Sequence, residues 1–237
     1  MPQSTVAEFN GTNFDILRKV AQKLFYEFSV TSFAPFSLVG ALVDRFVLRG
    51  WFVDQELHYA NRAQEVIEAI KSHVPPCVLM AYYKSLFNGW ATSARTMQHC
   101  EKVCLLCSDC DGHDRIEHYA VCDFHWGVFV RRFKRPVVRN CMENFFGLVS
   151  DNLEDVILRV VHVYAVMMAY NNRKHAQRIT GPEEIDSLIW NGHSVAQLYH
   201  AGLRKRYSEL WKTRYSVASS SSSSSSSYSS STSSTSP

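Results

Sequence analysis

The stretch that decides the fold of this chain runs from His99 to Trp126 and reads HCEKVCLLCSDCDGHDRIEHYAVCDFHW. It holds five of the seven cysteines and four of the ten histidines in the sequence. The sequence on either side of it has the periodicity of helices, except for a serine-rich end. Because cysteine and histidine side chains are common zinc ligands in proteins, the stretch predicts a metal-binding module.

The spacing within this stretch favours a structural zinc site. Cys104 and Cys107 form a C-x2-C step, which suits a tight turn that points two thiolates at one ion. After an acidic loop come His118 and Cys122, whose i, i+4 spacing puts both on one face of a helix. We therefore predict that Cys104, Cys107, His118 and Cys122 bind a structural Zn²⁺ and leave no coordination position for a catalytic water.

Other interpretations of the cysteines stay open at this point. A disulfide framework is disfavoured by the odd number of cysteines and by the lack of a secretory signal at the start of the sequence. The cysteines can also be small buried apolar residues that bind nothing. Four further side chains lie close enough in sequence to replace a proposed ligand: Cys100, Cys110, His113 and His125.

The motifs from NGWATSAR at residues 88–95 through C-L-L-C at 104–107 to DRIEHYAVC at 114–122 and Trp126 carry a family resemblance. Together they resemble the zinc-binding segment that follows the polymerase domain in the reverse transcriptases of non-LTR retrotransposons. Thr92 and Arg95 stand where that family has T-x-x-R before C-x2-C. The resemblance covers residues 76–126, about a fifth of the chain, and implies a C-terminal fragment of such a protein.

The catalytic motifs of a retroelement protein are missing from this sequence. No Asp-Asp pair is present to hold the two metal ions of a polymerase. The acidic run Pro182–Glu183–Glu184–Ile185–Asp186 is not followed by the lysine of a P-D…(D/E)-x-K nuclease. We therefore expect a protein that is not an enzyme.

A basic segment directly follows Trp126. It has no acidic residue, it includes two phenylalanines, and its cations are Arg131, Arg132, Lys134, Arg135 and Arg139. Cations that contact phosphates and aromatic rings that stack on bases are the usual means of binding RNA or single-stranded DNA. The alternative is a solvated helix end that binds nothing.

The rest of the sequence predicts a mostly α fold with a small zinc-knuckle insertion. We expect an N-terminal helical region at 1–76, the knuckle with its flanking helix and basic segment at 77–135, a C-terminal helical region at 136–215 and a disordered serine-rich tail at 216–237. Helical periodicity or boundary residues mark about 12–28, 35–50, 54–72, 77–90, 151–171 and 194–215. We expect Ser150 or Asp151 to cap the helix that starts at about 151.

Composition narrows the class of protein. With 46% hydrophobic and 13% aromatic residues, the chain can build a sizeable core, and its net charge of +3 does not by itself indicate nucleic-acid binding. No run of eighteen uncharged apolar residues predicts a membrane span. Cysteines without a signal sequence indicate a reducing intracellular compartment, the nucleus or the cytoplasm. The main rival to nucleic-acid binding is a zinc-stabilised module that binds another protein, and a decayed retroelement fragment without function is a further alternative.

Overall fold

A computed structural model describes residues 37–96, 103–107, 110, 112–134, 141–175 and 181–220, with side chains up to residue 210. This part of the chain is helical, which confirms the predicted mostly α fold. Its helices are α1 (Leu38–Arg49), α2 (Glu56–Ile70), α3 (Pro76–Leu86), α4 (Ile116–Val121), α5 (Asp123–Phe133), α6 (Met142–Phe145), α7 (Leu153–His175), α8 (Pro182–Leu198) and α9 (Ala201–Ser220). The predicted helix at 12–28 lies outside the described residues.

Helix α1 begins and ends at residues that the sequence marks clearly. The Ser37 hydroxyl accepts a hydrogen bond of 3.1 Å from the Gly40 amide at the first turn. Gly50 ends the helix in the left-handed region at φ 62°, a conformation that glycine adopts without steric cost. The predicted stop at Gly50 is therefore confirmed.

Helix α3 is shorter than predicted. We expected it to run to Trp90, but it ends at Leu86. A Cβ atom on Gly89 would lie 2.8 Å from the Lys84 carbonyl oxygen, so the chain turns back closely against the helix end. The turn brings Trp90 into the core, where its indole Nε1–H donates to the Ser85 hydroxyl at 2.8 Å.

Helix α7 is the centre of the packing and contacts α2, α3, α6 and α8. Its start is capped by Asn152, whose side-chain oxygen accepts from the amides of Glu154 and Asp155 at 2.9 and 3.2 Å. The predicted caps, Ser150 and Asp151, are therefore wrong by one or two residues. Asn152 is the cap because its side-chain oxygen accepts hydrogen bonds from two amides of the first turn.

The C-terminal region forms two helices that meet at Tyr199 and His200. Helix α8 packs on α5, α7 and α9. The predicted helix at 194–215 is wrong at its start, which belongs to α8. The backbone of α9 continues to Ser220, into the predicted serine-rich tail, and residues 221–237 lie outside the described part. None of the described helices has the combination of length and apolarity that crossing a bilayer requires.

The contact between α7 and α8 is close enough to require a glycine. A Cβ atom on Gly192 would lie 2.7 Å from the Ala165 Cα and 3.0 Å from its Cβ, so the two backbones would have to move apart.

We expect Gly192→Ala to lower the free energy of unfolding by about 1–3 kcal/mol, because the added methyl overpacks this interface. The control is Gly40→Ala in α1, where the new Cβ meets only the Ser37 side chain at 3.4 Å or more. That change should stabilise by up to about 1 kcal/mol, because alanine is the better helix former. Urea unfolding of both variants checks the pair, and equal effects would contradict the close approach.

Candidate metal centre

Five side chains with metal-binding atoms converge at one point of the structure. They are Cys104, Cys107, Cys110, His118 and Cys122, and their sulfur and nitrogen atoms all lie within 4.8 Å of one another. The four residues predicted from spacing are therefore brought together. Cys110, which the sequence left as an alternative, is the fifth member of this metal-binding cluster.

The C-x2-C step is held by backbone hydrogen bonds. The Cys104 amide donates to the Gly112 carbonyl at 2.8 Å, next to an antiparallel bridge between Val103 and His113. Within the turn, the Leu106 amide donates to the Cys104 sulfur at 3.4 Å. An amide that points at sulfur favours its thiolate form, which is the form that binds metal.

Helix α4 supplies the imidazole, and Gly112 makes room for it. A Cβ atom on Gly112 would lie 2.0 Å from Cε1 and 2.1 Å from Nδ1 of His118, so the ring edge lies directly on the glycine backbone. The other ring nitrogen, Nε2, is 3.2 Å from the Cys110 sulfur. Gly112 thus lines the cluster, a role that the sequence analysis did not predict.

Cys122 enters the cluster through a break between two helices. Its φ and ψ of −63° and 116° separate α4 from α5. The prediction that His118 and Cys122 share one face of a helix is therefore wrong, because α4 ends at Val121. In a continuous helix, the carbonyls of Tyr119 and Ala120 would accept from backbone amides four residues on. Here the Tyr119 carbonyl accepts from His125 Nε2, and the Ala120 carbonyl accepts from the Trp126 indole at 2.8 Å.

A buried carboxylate anchors the cluster to the helical body. Asp114 accepts from the Tyr119 hydroxyl at 2.8 Å and from the Ser93 amide at 2.7 Å. The same hydroxyl oxygen accepts from the Leu105 amide, between the first two cysteines, at 3.2 Å. Sequence reasoning missed the roles of Asp114 and Tyr119, because their partners lie on separate segments. Ser93 belongs to the NGWATSAR motif, whose backbone thus holds the metal-binding loop.

The thiols of the cluster differ in their pKa values. The hydrogen bond from Cys104, helped by one from His118 and opposed by burial, lowers the pKa of the Cys122 thiol to about 3. The same hydrogen bond, with burial, raises the pKa of Cys104 far above its usual range. Burial raises the pKa of Cys107 to about 12. A metal ion that binds here therefore meets the Cys122 thiolate and displaces protons from Cys104 and Cys107.

The donor set fits a tetrahedral metal ion. With Zn–S bonds of about 2.3 Å, two sulfur ligands of a tetrahedral zinc lie about 3.8 Å apart, and the Cys107 and Cys122 sulfurs are 3.7 Å apart. Every described cysteine is a free thiol, so the disulfide alternative does not hold for these residues. Five donors exceed the four positions of a tetrahedron, so one of them is spare.

The remaining alternative ligands are placed elsewhere. His113 lies in the bridge with Val103 and is not part of the cluster. His125 is fully buried and points at a carbonyl and at another histidine. Cys100 lies outside the described residues.

The predicted nucleic-acid-binding residues are only partly described. Arg131 and Arg132, at the end of α5, each donate to one carboxylate oxygen of Asp186 in α8, at 2.8 and 2.6 Å. The Arg132 guanidinium also lies over the Trp190 ring, 5.2 Å from its centroid. Lys134 follows the helix in the left-handed region at φ 53°. Arg135 and Arg139 lie outside the described residues.

Three buried histidines form a chain that starts behind the metal-binding cluster. His125 Nδ1 lies 3.1 Å from His162 Nε2, and His162 Nδ1 lies 3.1 Å from His193 Nε2. The chain ends where His193 Nδ1 lies 2.8 Å from the Tyr207 hydroxyl. Burial lowers the pKa of His125 to about 4, that of His193 to about 3, and that of His162 well below its usual value. Sequence analysis did not predict this chain, because its three histidines lie on separate helices.

Comparison with known proteins identifies no relative of this chain. No family model matches the chain, and no curated protein or solved structure is significantly similar to it. The resemblance to the retrotransposon segment therefore rests on the motifs alone.

We expect Cys104→Ser, Cys107→Ser and Cys122→Ser each to weaken zinc binding by more than about 100-fold. Loss of a group that only orients a ligand weakens metal binding by about 10- to 100-fold, and loss of the ligand itself should weaken it more. Cys110→Ser is the matched control and should keep one zinc per chain, because the other four donors complete a tetrahedron. Elemental analysis and competition with a chelating dye measure both properties. Loss of zinc in Cys110→Ser with retention in a His118→Gln variant would overturn the ligand set.

We expect the protein to lose stability as the pH falls below about 6.5, the ordinary pKa of histidine. The buried histidines stay neutral in the fold, so the unfolded chain binds more protons in this range. Each such histidine contributes up to about 1.4 kcal/mol per pH unit until its folded pKa is reached. His193→Gln should reduce the slope of the unfolding free energy against pH below that of the unmodified protein. An unchanged slope in this variant would contradict the neutral state of the buried histidine.

Proposed function

We propose that this protein is a non-catalytic zinc-binding protein in which a structural zinc centre holds a segment that binds RNA or single-stranded DNA. The zinc ligands are Cys104, Cys107, His118 and Cys122, with Cys110 as the spare donor. The observation that carries the proposal is the convergence of these side chains within 4.8 Å. Three thiolates and an imidazole are a usual donor set of structural zinc, and soft sulfur ligands disfavour magnesium or calcium.

The architecture around the cluster supports a structural role for the ion. Cys104 and Cys122 are buried, and the remaining three donors are only partly exposed. The ion ties the C-x2-C turn to the junction of α4 and α5, two segments that share no helix. Four protein ligands also complete its coordination, which leaves no open position for a reacting water.

Nucleic-acid binding is supported by the position of the basic segment. Helix α5 starts next to the ligand Cys122 and ends with Arg131 and Arg132, whose side chains are 61% and 39% exposed. The two guanidiniums hold two oxygens of one carboxylate, an arrangement that also suits two oxygens of a phosphate. In this interpretation Asp186 occupies the place of a phosphate and competes with it.

The same contact favours a second candidate function, a zinc-stabilised module that binds another protein. If the two arginines serve only to fasten α5 to α8 through Asp186, the basic segment has a structural task. Exposed apolar side chains at the α1–α2 end then offer a contact surface: Val47, Leu48, Val53 and Leu57. An apolar interface of this kind depends little on salt.

Titration of the zinc-loaded protein into labelled single-stranded RNA and DNA separates the two functions. We expect binding that weakens steeply as salt rises, with a slope that falls by about 0.7 for each phosphate contact removed in Arg131→Gln and Arg132→Gln. Asp186→Asn should tighten binding, because it removes the competing charge and keeps the shape of the side chain.

The control for these variants is Lys205→Gln, which removes an exposed cation on α9. It should change neither the affinity nor the salt slope. No binding to either nucleic acid at low salt, or an Asp186→Asn variant that binds like the unmodified protein, would contradict the proposal and favour the protein-binding module.

A further inference from the structure

The carbonyl of Tyr119 fixes the direction of the whole buried histidine chain. A carbonyl oxygen only accepts, so the proton of His125 must sit on Nε2, which faces it. A neutral imidazole has one donor and one acceptor nitrogen, so His125 Nδ1 accepts from His162 Nε2 at 3.1 Å. The same reasoning makes His162 Nδ1 accept from His193 Nε2 at 3.1 Å.

The Tyr207 hydroxyl completes this pattern. It lies 2.8 Å from His193 Nδ1, which is left as an acceptor, and it donates the last hydrogen bond. Every ring nitrogen of the three histidines thus has one partner of the right kind, in a single consistent set of tautomers. The three imidazoles and the tyrosine are at most 1% exposed, so no water competes for these contacts.

We propose that the chain His125–His162–His193–Tyr207 is a positioning device for the metal centre, which holds Cys122 in the ligand position by capping the broken end of α4. This inference rests on the proposed zinc centre. His125 caps a carbonyl three residues before Cys122, next to the carbonyl that Trp126 caps. Without these caps, two carbonyls at the helix break lose partners that they need when buried.

The chain also connects the metal centre to distant helices. His125 lies in α5, His162 in α7, His193 in α8 and Tyr207 in α9. If Tyr207 is lost, the His193 proton is free to move to Nδ1, and its Nε2 then faces the His162 acceptor without a hydrogen. The mismatch weakens each contact in turn back to Tyr119. Zinc affinity and the docking of α9 are therefore coupled, and the coupling is reciprocal.

The test compares two buried tyrosines whose hydroxyls each donate a hydrogen bond. Tyr207→Phe should weaken zinc binding by about two- to tenfold, the range of one buried hydrogen bond. Tyr82→Phe is the matched control, because its fully buried hydroxyl donates to the Phe146 carbonyl at 2.8 Å, outside the chain. Both variants should melt at lower temperature, but only Tyr207→Phe should change the zinc dissociation constant.

Two variants at His125 test the capping step itself. His125→Leu should weaken zinc binding by about 10- to 100-fold, the range known for groups that orient metal ligands. His125→Gln should restore most of the affinity, because its amide can donate to Tyr119 and accept from His162. In the cobalt-substituted protein, the visible bands of the leucine variant should shift, since they report the position of the sulfur ligands.

Nuclear magnetic resonance of the imidazole nitrogens measures the tautomers of the three histidines independently of metal affinity. The full chain should show the Nε2–H tautomer at all three histidines, and an Nδ1–H tautomer at any of them would overturn the inference. Equal zinc affinities in Tyr207→Phe and Tyr82→Phe would reduce the chain to a packing feature and also overturn it. Failure of the unmodified protein to bind zinc would instead overturn the proposed function on which the inference rests.

Discussion

The metal-binding cluster depends on one interruption of a helix. At Cys122 the backbone leaves the helical conformation between α4 and α5, and the thiol lies beside those of the C-x2-C loop. The break leaves two backbone carbonyls without the amide partners that a continuous helix would supply. His125 and Trp126 of the next helix donate hydrogen bonds to these carbonyls instead. The break, the caps and the ligand position are therefore one structural unit.

Around this unit, buried polar groups fix the orientation of the loop and of Tyr119, which hydrophobic packing alone does not specify. Asp114 fixes the loop and the Tyr119 hydroxyl on one side, and the imidazole chain fixes the Tyr119 carbonyl on the other. Buried hydrogen bonds of this kind add specificity because each group has only one arrangement in which all partners are satisfied. The helical body thus presents a single geometry to a metal ion, and a bound ion would join segments that lack a common helix.

The sequence predicted those features that depend on short spacings. The C-x2-C step and the H-x3-C spacing of His118 and Cys122 identify four members of the cluster, although Cys122 lies just past the end of α4 and not on its face. The position of Cys110 could not be predicted, since it depends on how the acidic loop folds back. The pairing of His162 with His193 and of Arg132 with Asp186 joins residues far apart in sequence. Such contacts follow from helix packing, which periodicity alone does not specify.

The helix boundaries that were predicted wrongly have the same cause, which is tertiary packing. Helix α3 was expected to reach Trp90, because the apolar pattern continues to that residue, but tertiary packing takes the indole away from the helix and into the core. The boundary between α8 and α9 falls at Tyr199 and His200, which are neither proline nor glycine, and the nearby Gly202 lies inside α9. Where a strong local signal exists, as at Gly50, the prediction was correct.

X-ray absorption spectroscopy at the zinc edge tests the central claim most directly. The full chain, purified in the presence of zinc, should carry one ion bound by three sulfurs at about 2.3 Å and one imidazole nitrogen at about 2.0 Å. A shell of four sulfurs would put Cys110 in place of His118 and contradict the ligand set. A shell that contains water oxygen, or a chain that holds no zinc, would contradict the closed structural centre itself.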